Sequence, residues 1–468
     1  MNLKSVFALG LIALGALAAS AVVAAQETRA RLIPFNEYRA GLTAVDSSAY
    51  LGRAEVRVTQ QSDFEEMRQH LITLYGPIQV THSFQLDADV YDCIPIDQQP
   101  SVRLQGIKQI ALPPPAALAP AAKTAISHAA TSLAEKRSSP ARQVAEDVLR
   151  DPFGNATHCE ARTIPMRRIT LDEMTRFPTL RDFLRKSPGE TGDDLQTGAN
   201  PPPAGASAAP TGGGVAPCPT CGHKYSRTFQ NVNAWGGNSD INLWSPNVNT
   251  GAGQVFSLTQ HWYMGGSGSS LPGFQTVEAG WQNYPGKYGD ERSRLFIYWT
   301  ADNYNTTGCY NLECSGFVQT NNSVYLGGGF TNYSTSGGAQ YEMAIQVKLY
   351  RGNWWIFYGT TAFGYYPTGL YHGGQLAQNA TQIQYGTESY TTGAAWPPEG
   401  SGAWPSSGWT KAAYQRNLFW INSSGGGIWE SLSDWITSPS CYNINGPNGG
   451  SGAWTVNFYD GGPGGGGC

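Results

Sequence analysis

The sequence predicts a mainly β protein, a sandwich or barrel of many short strands, preceded by a small α/β domain. Three observations lead there. All 14 Trp lie after residue 217 of the 468. Charged residues in that C-terminal part number only 21 of 251. The rest of its composition is rich in Gly, Asn, Ser and aromatic residues, which suit strands and tight turns and supply few helix formers. The aromatic content also provides apolar area to bury, so low charge here is not a mark of disorder. A formal net charge of −4 carries no nucleic-acid footprint.

Taken in order, residues 1–25 read as a signal peptide. Lys4 supplies the positive start, residues 6–17 an apolar stretch, and Val23-Ala24-Ala25 the small residues of a cleavage site. No other long apolar run follows, so a soluble, secreted (extracellular or periplasmic) monomer without a membrane contact is expected after cleavage. Residues 26–187 read as a small α/β domain. Within it, residues 54–60 alternate like a strand, and Ser62-Asp-Phe-Glu65 reads as a capping box opening a helix. Phe64, Met67, Leu71 and Leu74 give that helix one apolar face, and Gly76-Pro77 ends it. Residues 78–90 return to strand-like alternation, residues 112–122 read as a loop, and residues 124–149 as partly helical. No catalytic motif occurs in this half. Residues 188–217, with Pro201-Pro-Pro and Thr211-Gly-Gly-Gly, read as an exposed, cleavable linker and a domain boundary. In the remaining part, residues 218–468, the best strands are 255–262, 275–281, 294–299, 324–326, 341–350 and 354–358, with 341–350 central.

Carboxylates are rare in that part: seven Glu and five Asp follow Cys218. Two of them, in Thr276-Val-Glu-Ala-Gly-Trp281 and Gln384-Tyr-Gly-Thr-Glu-Ser389, stand 110 residues apart, each in a strand-like segment with apolar neighbours. A pair of such carboxylates suits acid/base chemistry, one ionised and one protonated; the ordinary reading of each is a residue on a solvated sheet face. Period-two alternation places Thr276, Glu278, Gly280 and Gln282 on one face, and Gln384, Gly386, Glu388 and Tyr390 on another, with Gln275 on the opposite side. Other nucleophile schemes fit poorly. No Gly-x-Ser-x-Gly marks a strand-to-helix turn, no His-Glu-x-x-His exists, and the three His after residue 217 (His223, His261, His372) stand in dissimilar contexts. No metal or cofactor is expected. Eight Cys, an even count, suit disulfides in an exported protein. Cys218-Pro-Thr-Cys221 reads as a small-loop disulfide, with a redox centre or half a zinc site as the alternatives.

Several blocks around the glutamates resemble the neprosin family of secreted glutamic peptidases: Glu278-Ala-Gly-Trp281, Lys287-Tyr-Gly-Asp290, Phe296-Ile-Tyr-Trp-Thr-Ala-Asp302, and above all Gly308-Cys-Tyr-Asn-Leu-Glu-Cys314. The similarity continues through Gly352-Asn-Trp-Trp355, Gly364-Tyr-Tyr-Pro367, Tyr385-Gly-Thr-Glu388, Cys441-Tyr-Asn-Ile444 and the Gly-rich end at Cys468. Upstream, Asp92-Cys-Ile-Pro-Ile-Asp97 and Thr163-Ile-Pro-Met-Arg-Arg168 resemble the family's N-terminal activation region. The resemblance implies two stacked antiparallel sheets, jelly-roll-like, with Glu278 and Glu388 catalytic. It implies cleavage of peptides after proline, an N-terminal domain acting as intramolecular inhibitor, and the pairings Cys93–Cys159, Cys309–Cys314 and Cys441–Cys468. Thr387 departs from the Gly common at that position, a change expected to alter the pocket beside Glu388. Trp281, Trp299, Trp354, Trp355 and Tyr366 are candidates to line a substrate groove, and Thr276, Gln282, Gln384 and Tyr390 to donate to an oxyanion. Two rivals use the same features: a glycoside hydrolase with paired carboxylates and Trp platforms, and a non-catalytic carbohydrate-binding sandwich. A masking domain with a cleavable linker favours the peptidase.

Overall fold

The computed structural model describes residues 31–117, 149–186, 222–266 and 274–468. The signal peptide, residues 124–148, the 188–217 linker and the Cys218–Cys221 pair lie outside the described residues.

Helix Gln61–Tyr75 buries Phe64, Met67, Leu71 and Leu74, the face its 3–4 residue spacing predicts. Gly76 ends it at φ +23°, its N–H bonded to Ile72 O. The start differs from expectation. Gln60, not Ser62, is the N-cap, and it makes no side-chain capping bond; the capping box of this region joins Thr170 to Glu173. Residues 54–60 form no strand, although Val58 is buried. Arg57 N donates to Thr175 O at 2.7 Å, at the end of the short helix Leu171–Met174 rather than on a strand, so the segment joins no ladder. Residues 78–90 divide at a turn into β1 (His82–Leu86) and the start of β2 (Asp89–Pro95), which pairs with β3 (Thr163–Arg167) in a three-stranded antiparallel sheet.

The C-terminal part is two antiparallel sheets. Its strands are β4 (His223–Ala234), β5 (Gly236–Asn242), β6 (Gln254–Gly265), β7 (Gln275–Asn283), β8 (Ser293–Thr300), β9 (Val318–Gln319), β10 (Glu342–Tyr350), β11 (Asn353–Tyr358), β12 (Thr361–Pro367), β13 (Ala380–Thr391), β14 (Ala413–Ile421), β15 (Gly427–Trp429), β16 (Ser433–Ile436), β17 (Asn443–Gly449) and β18 (Val456–Gly461). A six-stranded sheet runs β16-β4-β13-β6-β7-β8. A nine-stranded sheet runs β17-β18-β14-β5-β10-β11-β12-β9, with β15 beside β14. Strand β10 is interior, as its composition predicts, whereas residues 324–326 form irregular chain leading into a turn rather than a strand.

The sheets face one another through side chains such as Trp281, whose Nε1 donates to Asn242 O at 2.9 Å, and Tyr263, whose ring lies 6.1 Å from that of Trp354. The main apolar cluster is continuous from helix Gln61–Tyr75 through β3 into β7 and β8. Polar bonds add to that contact. Gln99 and Gln319 exchange two hydrogen bonds of 3.0 and 2.8 Å, and Asp89 is held between Arg167 and Arg294. Disulfides join Cys93–Cys159, Cys309–Cys314 and Cys441–Cys468. Among the described residues, no helix is long and apolar enough to cross a membrane.

Candidate active site

The six-stranded sheet carries both glutamates on one face. Strand β6 runs between their strands, and its register sets them four residues out of step: Glu278 is level with Trp262, Glu388 with Leu258. Gln260 of β6 therefore falls between them, flanked by Gly280 on β7 and Gly386 on β13. Both glycines are required by the backbone. A Cβ on Gly280 would come within 2.1 Å of Thr259 O, and Gly386 adopts φ +144° with Arg227 crowding its missing side chain. The two acids converge over this trough.

Glu278 is fully buried. It accepts from Tyr304 OH at 2.6 Å, Thr276 Oγ1 at 2.8 Å and Gln260 Nε2 at 3.0 Å. Burial pushes the Tyr304 phenol well up, so it stays a donor. Glu388 pairs with His223 Nδ1 at 2.8 Å. A single cation joins the two acids. Lys186 Nζ lies 2.6 Å from Glu278 Oε2 and 2.7 Å from Glu388 Oε2, with the lysine side chain 4% exposed. Burial opposes ionisation of Glu388, but the Lys186 ammonium and the His223 hydrogen bond outweigh it and hold the carboxyl at about 2.

Lys186 reaches this place at the end of the N-terminal unit. Thr179 caps the short helix Leu180–Leu184, its side chain accepting from Asp182 N, and the helix ends at Arg185 in an extended conformation that projects Lys186 over the sheet. Trp262 lies under the ammonium, 5.1 Å from ring centre to Nζ.

The other expected site residues divide by face. Gln282 and Tyr390 lie on the side of the dyad: Gln282 donates to Tyr310 OH at 3.1 Å, and Tyr390 stacks on His223 with ring centres 4.5 Å apart. Trp281 does not line the groove. It is one residue out of phase with Glu278, and its indole points into the inter-sheet core. Tyr366 is likewise core, packed on Phe317 and Trp299, and Trp355 packs on Tyr365. Gln384 donates to Gln382. Thr387 points away from Glu388, bonding Ser226 and the buried carboxyl of Glu399, so it does not shape the pocket beside the acid.

Sequence reasoning missed four groups. Lys186 stands next to the linker in an unremarkable basic run. His223 carries no sequence signal of its own: the register of β4, which pairs it with Tyr390 two residues beyond Glu388, brings it to the acid. Tyr304 adopts φ +57° in a loop, which no periodicity signals. Arg227 is 2% exposed, packs on Tyr225, Trp262 and Trp435, and has no hydrogen-bond partner at Nε or Nη2 among the described residues.

Comparison with known proteins gives a family match and two distant structural likenesses. Residues 253–463 match the family model described as Neprosin. The crystal structure of scytalido-glutamic peptidase with a transition state analog inhibitor aligns at TM-score 0.30 and 8% identity, covering 51% of this chain and 97% of that one. CG-16, a homodimeric agglutinin from chicken liver, aligns at TM-score 0.18 and 7% identity, covering 35% of this chain and 88% of that one.

Proposed function

We propose, from the match of residues 253–463 to the Neprosin family model, that the chain is a secreted glutamic endopeptidase, made as a latent precursor, that cleaves after proline. The observation that carries the reading is the shared ammonium: two buried carboxylates from different strands meet on one cation supplied by a peptide segment lying over the sheet.

With Lys186 withdrawn, a water and a peptide carbonyl take its place. Tyr304, Thr276 and Gln260 all donate to Glu278 and fix its orientation, which fits it to take a proton from the water. Glu388 loses the cation that does most to keep it ionised. Beside a second carboxylate in a buried site, it then takes up a proton and serves as the acid. The water oxygen attacks the carbonyl carbon as Glu278 accepts its proton. The carbonyl electrons move to oxygen, and the tetrahedral intermediate collapses with loss of the amine, which Glu388 protonates. The buried guanidinium of Arg227, packed on Trp262, and the amide of Gln260, beside Glu278, serve as donors to the oxyanion.

Residues 26–187 serve as the intramolecular inhibitor, with Lys186 as its tip, and residues 188–217 as the segment cut on maturation. Trp262 and Tyr390, on the groove face, are better placed than Trp281 or Tyr366 to receive a proline ring. Three disulfides among the described residues accord with export. A glycosidase has no need of a peptide lid from its own chain, which sets that rival aside.

The test is a digest of a denatured proteome at pH 3 by the acid-treated protein, with cleavage sites read by mass spectrometry. Proline enriched immediately before the cut supports the reading; no cleavage at all overturns it.

A further inference from the structure

A second buried cation lies on the same side of the sheet and takes no part in the chemistry above. Lys287, in the short helix Pro285–Tyr288 after β7, is fully buried. Its Nζ pairs with Glu313 at 2.8 Å and donates to the backbone carbonyl of Phe183 at 2.8 Å. It also stands 3.6 Å from the centre of the Phe183 ring and 4.9 Å from that of Tyr310. Phe183 is 1% exposed there, so the pocket is filled.

Phe183 and Lys186 belong to one peptide segment, and both ends of it are held by the sandwich. Phe183 sits on Lys287; Lys186 sits on the two glutamates. Between them the surface is continuous. Tyr298 is directly opposite Glu278 in the β7–β8 register, Tyr310 packs edge-on against Tyr298 at 4.9 Å, and Gln282 bonds the Tyr310 hydroxyl. One short stretch of backbone joins the two contacts, with Phe183 in the last turn of helix Leu180–Leu184 and Lys186 just beyond its end.

Resting on the peptidase reading, we propose that the Lys287 pocket is a substrate subsite, which takes an aromatic side chain about three residues from the one held at the two glutamates. The chemistry is specific to this chain's residues. The ammonium binds a backbone carbonyl, which every peptide offers, and at the same time faces an aromatic ring, which only Phe, Tyr and Trp offer. Glu313 belongs to the sandwich and holds the Lys287 amine in place at 2.8 Å, opposing the burial that pulls its pKa down, so the pocket is formed before substrate arrives. Phe177, which packs edge-on against Phe183 at 5.6 Å, leaves with the N-terminal unit, and Tyr310 remains as an apolar wall beside the ammonium. A basic or acidic side chain gains nothing there: the first meets a like charge and the second meets a cation already paired.

The experiment uses the matured wild-type enzyme and internally quenched peptides, each with one proline and one Phe walked from five residues before it to five after. One position, two to four residues from the cut, is expected to raise kcat/KM at least tenfold over the Ala peptide, with Tyr and Trp also accepted and Asp and Lys rejected. Cleavage after proline with no position exceeding threefold overturns the subsite and leaves the peptidase reading standing; no cleavage of any peptide overturns both. In the charge-free double variant Lys287→Met with Glu313→Gln, the aromatic preference should fall below threefold, and its survival overturns the assignment. Should that variant fail to fold, a peptide of residues 179–186 serves as an inhibitor of the wild-type enzyme. Its Phe183→Ala form should inhibit at least tenfold more weakly, and equal inhibition overturns the proposal.

Discussion

The ammonium of Lys186 lies 2.7 Å from the carboxylate of Glu388, with only 4% and 3% of the two side chains exposed. The same ammonium is 2.6 Å from Glu278. Two buried acids are thereby bridged by one cation that belongs to the other half of the chain. Removing one member of such a cluster costs roughly 3–5 kcal/mol, because the charges left behind stay desolvated and unpaired. Lys186→Met in the full precursor should therefore loosen the segment over the sheet. Conversion to the mature form at pH 5 is expected to quicken at least tenfold, read as a time course on a gel. An unchanged rate would show that the lysine does not hold the precursor shut.

Acid should do what the substitution does. Glu388 is held at about 2 in the folded precursor, against about 4.3 for an unperturbed glutamate. A carboxyl with a depressed value lends stability that is fully present above about 4.3 and is lost as pH falls through about 2. The closed state should weaken across that window, so the wild-type conversion rate rises steeply from pH 4 towards pH 2. In Lys186→Met the rise should be much flattened, since the cation that depresses Glu388 is gone. Conversion rates of both proteins across pH 2–7 give the comparison.

The mature domain should show the opposite trend in stability. Burial pushes the carboxyls of Glu399, Glu430 and Asp460 up to about 8 each. A group raised in this way leaves stability intact below its unfolded value and withdraws it as pH rises through the folded one. Between pH 5 and pH 8 the mature domain should lose stability, read as a fall in Tm. Glu399→Gln should shrink that loss, as seen by thermal unfolding at the two pH values.

Much of this was legible in the sequence, for reasons that also explain what was not. The strands carrying Glu278 and Glu388 announce themselves through β-branched and aromatic runs, and period-two alternation puts Thr276 and Gln282 beside Glu278 correctly. The same rule, applied strictly, would have removed Trp281 from the groove, because an odd offset from Glu278 points inward. What alternation cannot give is register between strands distant in sequence. That is why the Gln260 trough, the His223–Glu388 bond and the Lys186 bridge emerge only from the fold. In the N-terminal unit, residues 54–60 alternate like a strand but join no ladder, so local pattern loses to tertiary context.

Thr387 provides a test of the inward–outward distinction. Its hydroxyl bonds Ser226 Oγ at 2.6 Å and the carboxyl of Glu399 on the side of the strand away from Glu388. Thr387→Gly removes those bonds and adds backbone freedom, at a cost of about 1–3 kcal/mol. Unfolding of the mature domain should report that loss, while the residue preferred before the cut should not change. Altered preference with unchanged stability would place Thr387 in the groove after all.

The central claim is that Glu278 and Glu388 do the chemistry together. The direct measurement is single-turnover hydrolysis of a proline peptide by the mature forms of Glu278→Gln, Glu388→Gln and the double variant. Their folding is to be checked by thermal unfolding, and maturation carried out with wild-type enzyme in trans. Glutamine keeps the shape of the side chain but cannot exchange a proton. The account predicts that each single variant retains less than about a hundredth of the wild-type rate, and that the double variant is scarcely slower than either, as for groups that act as a unit. A folded single variant that keeps more than about a tenth of the rate would contradict it.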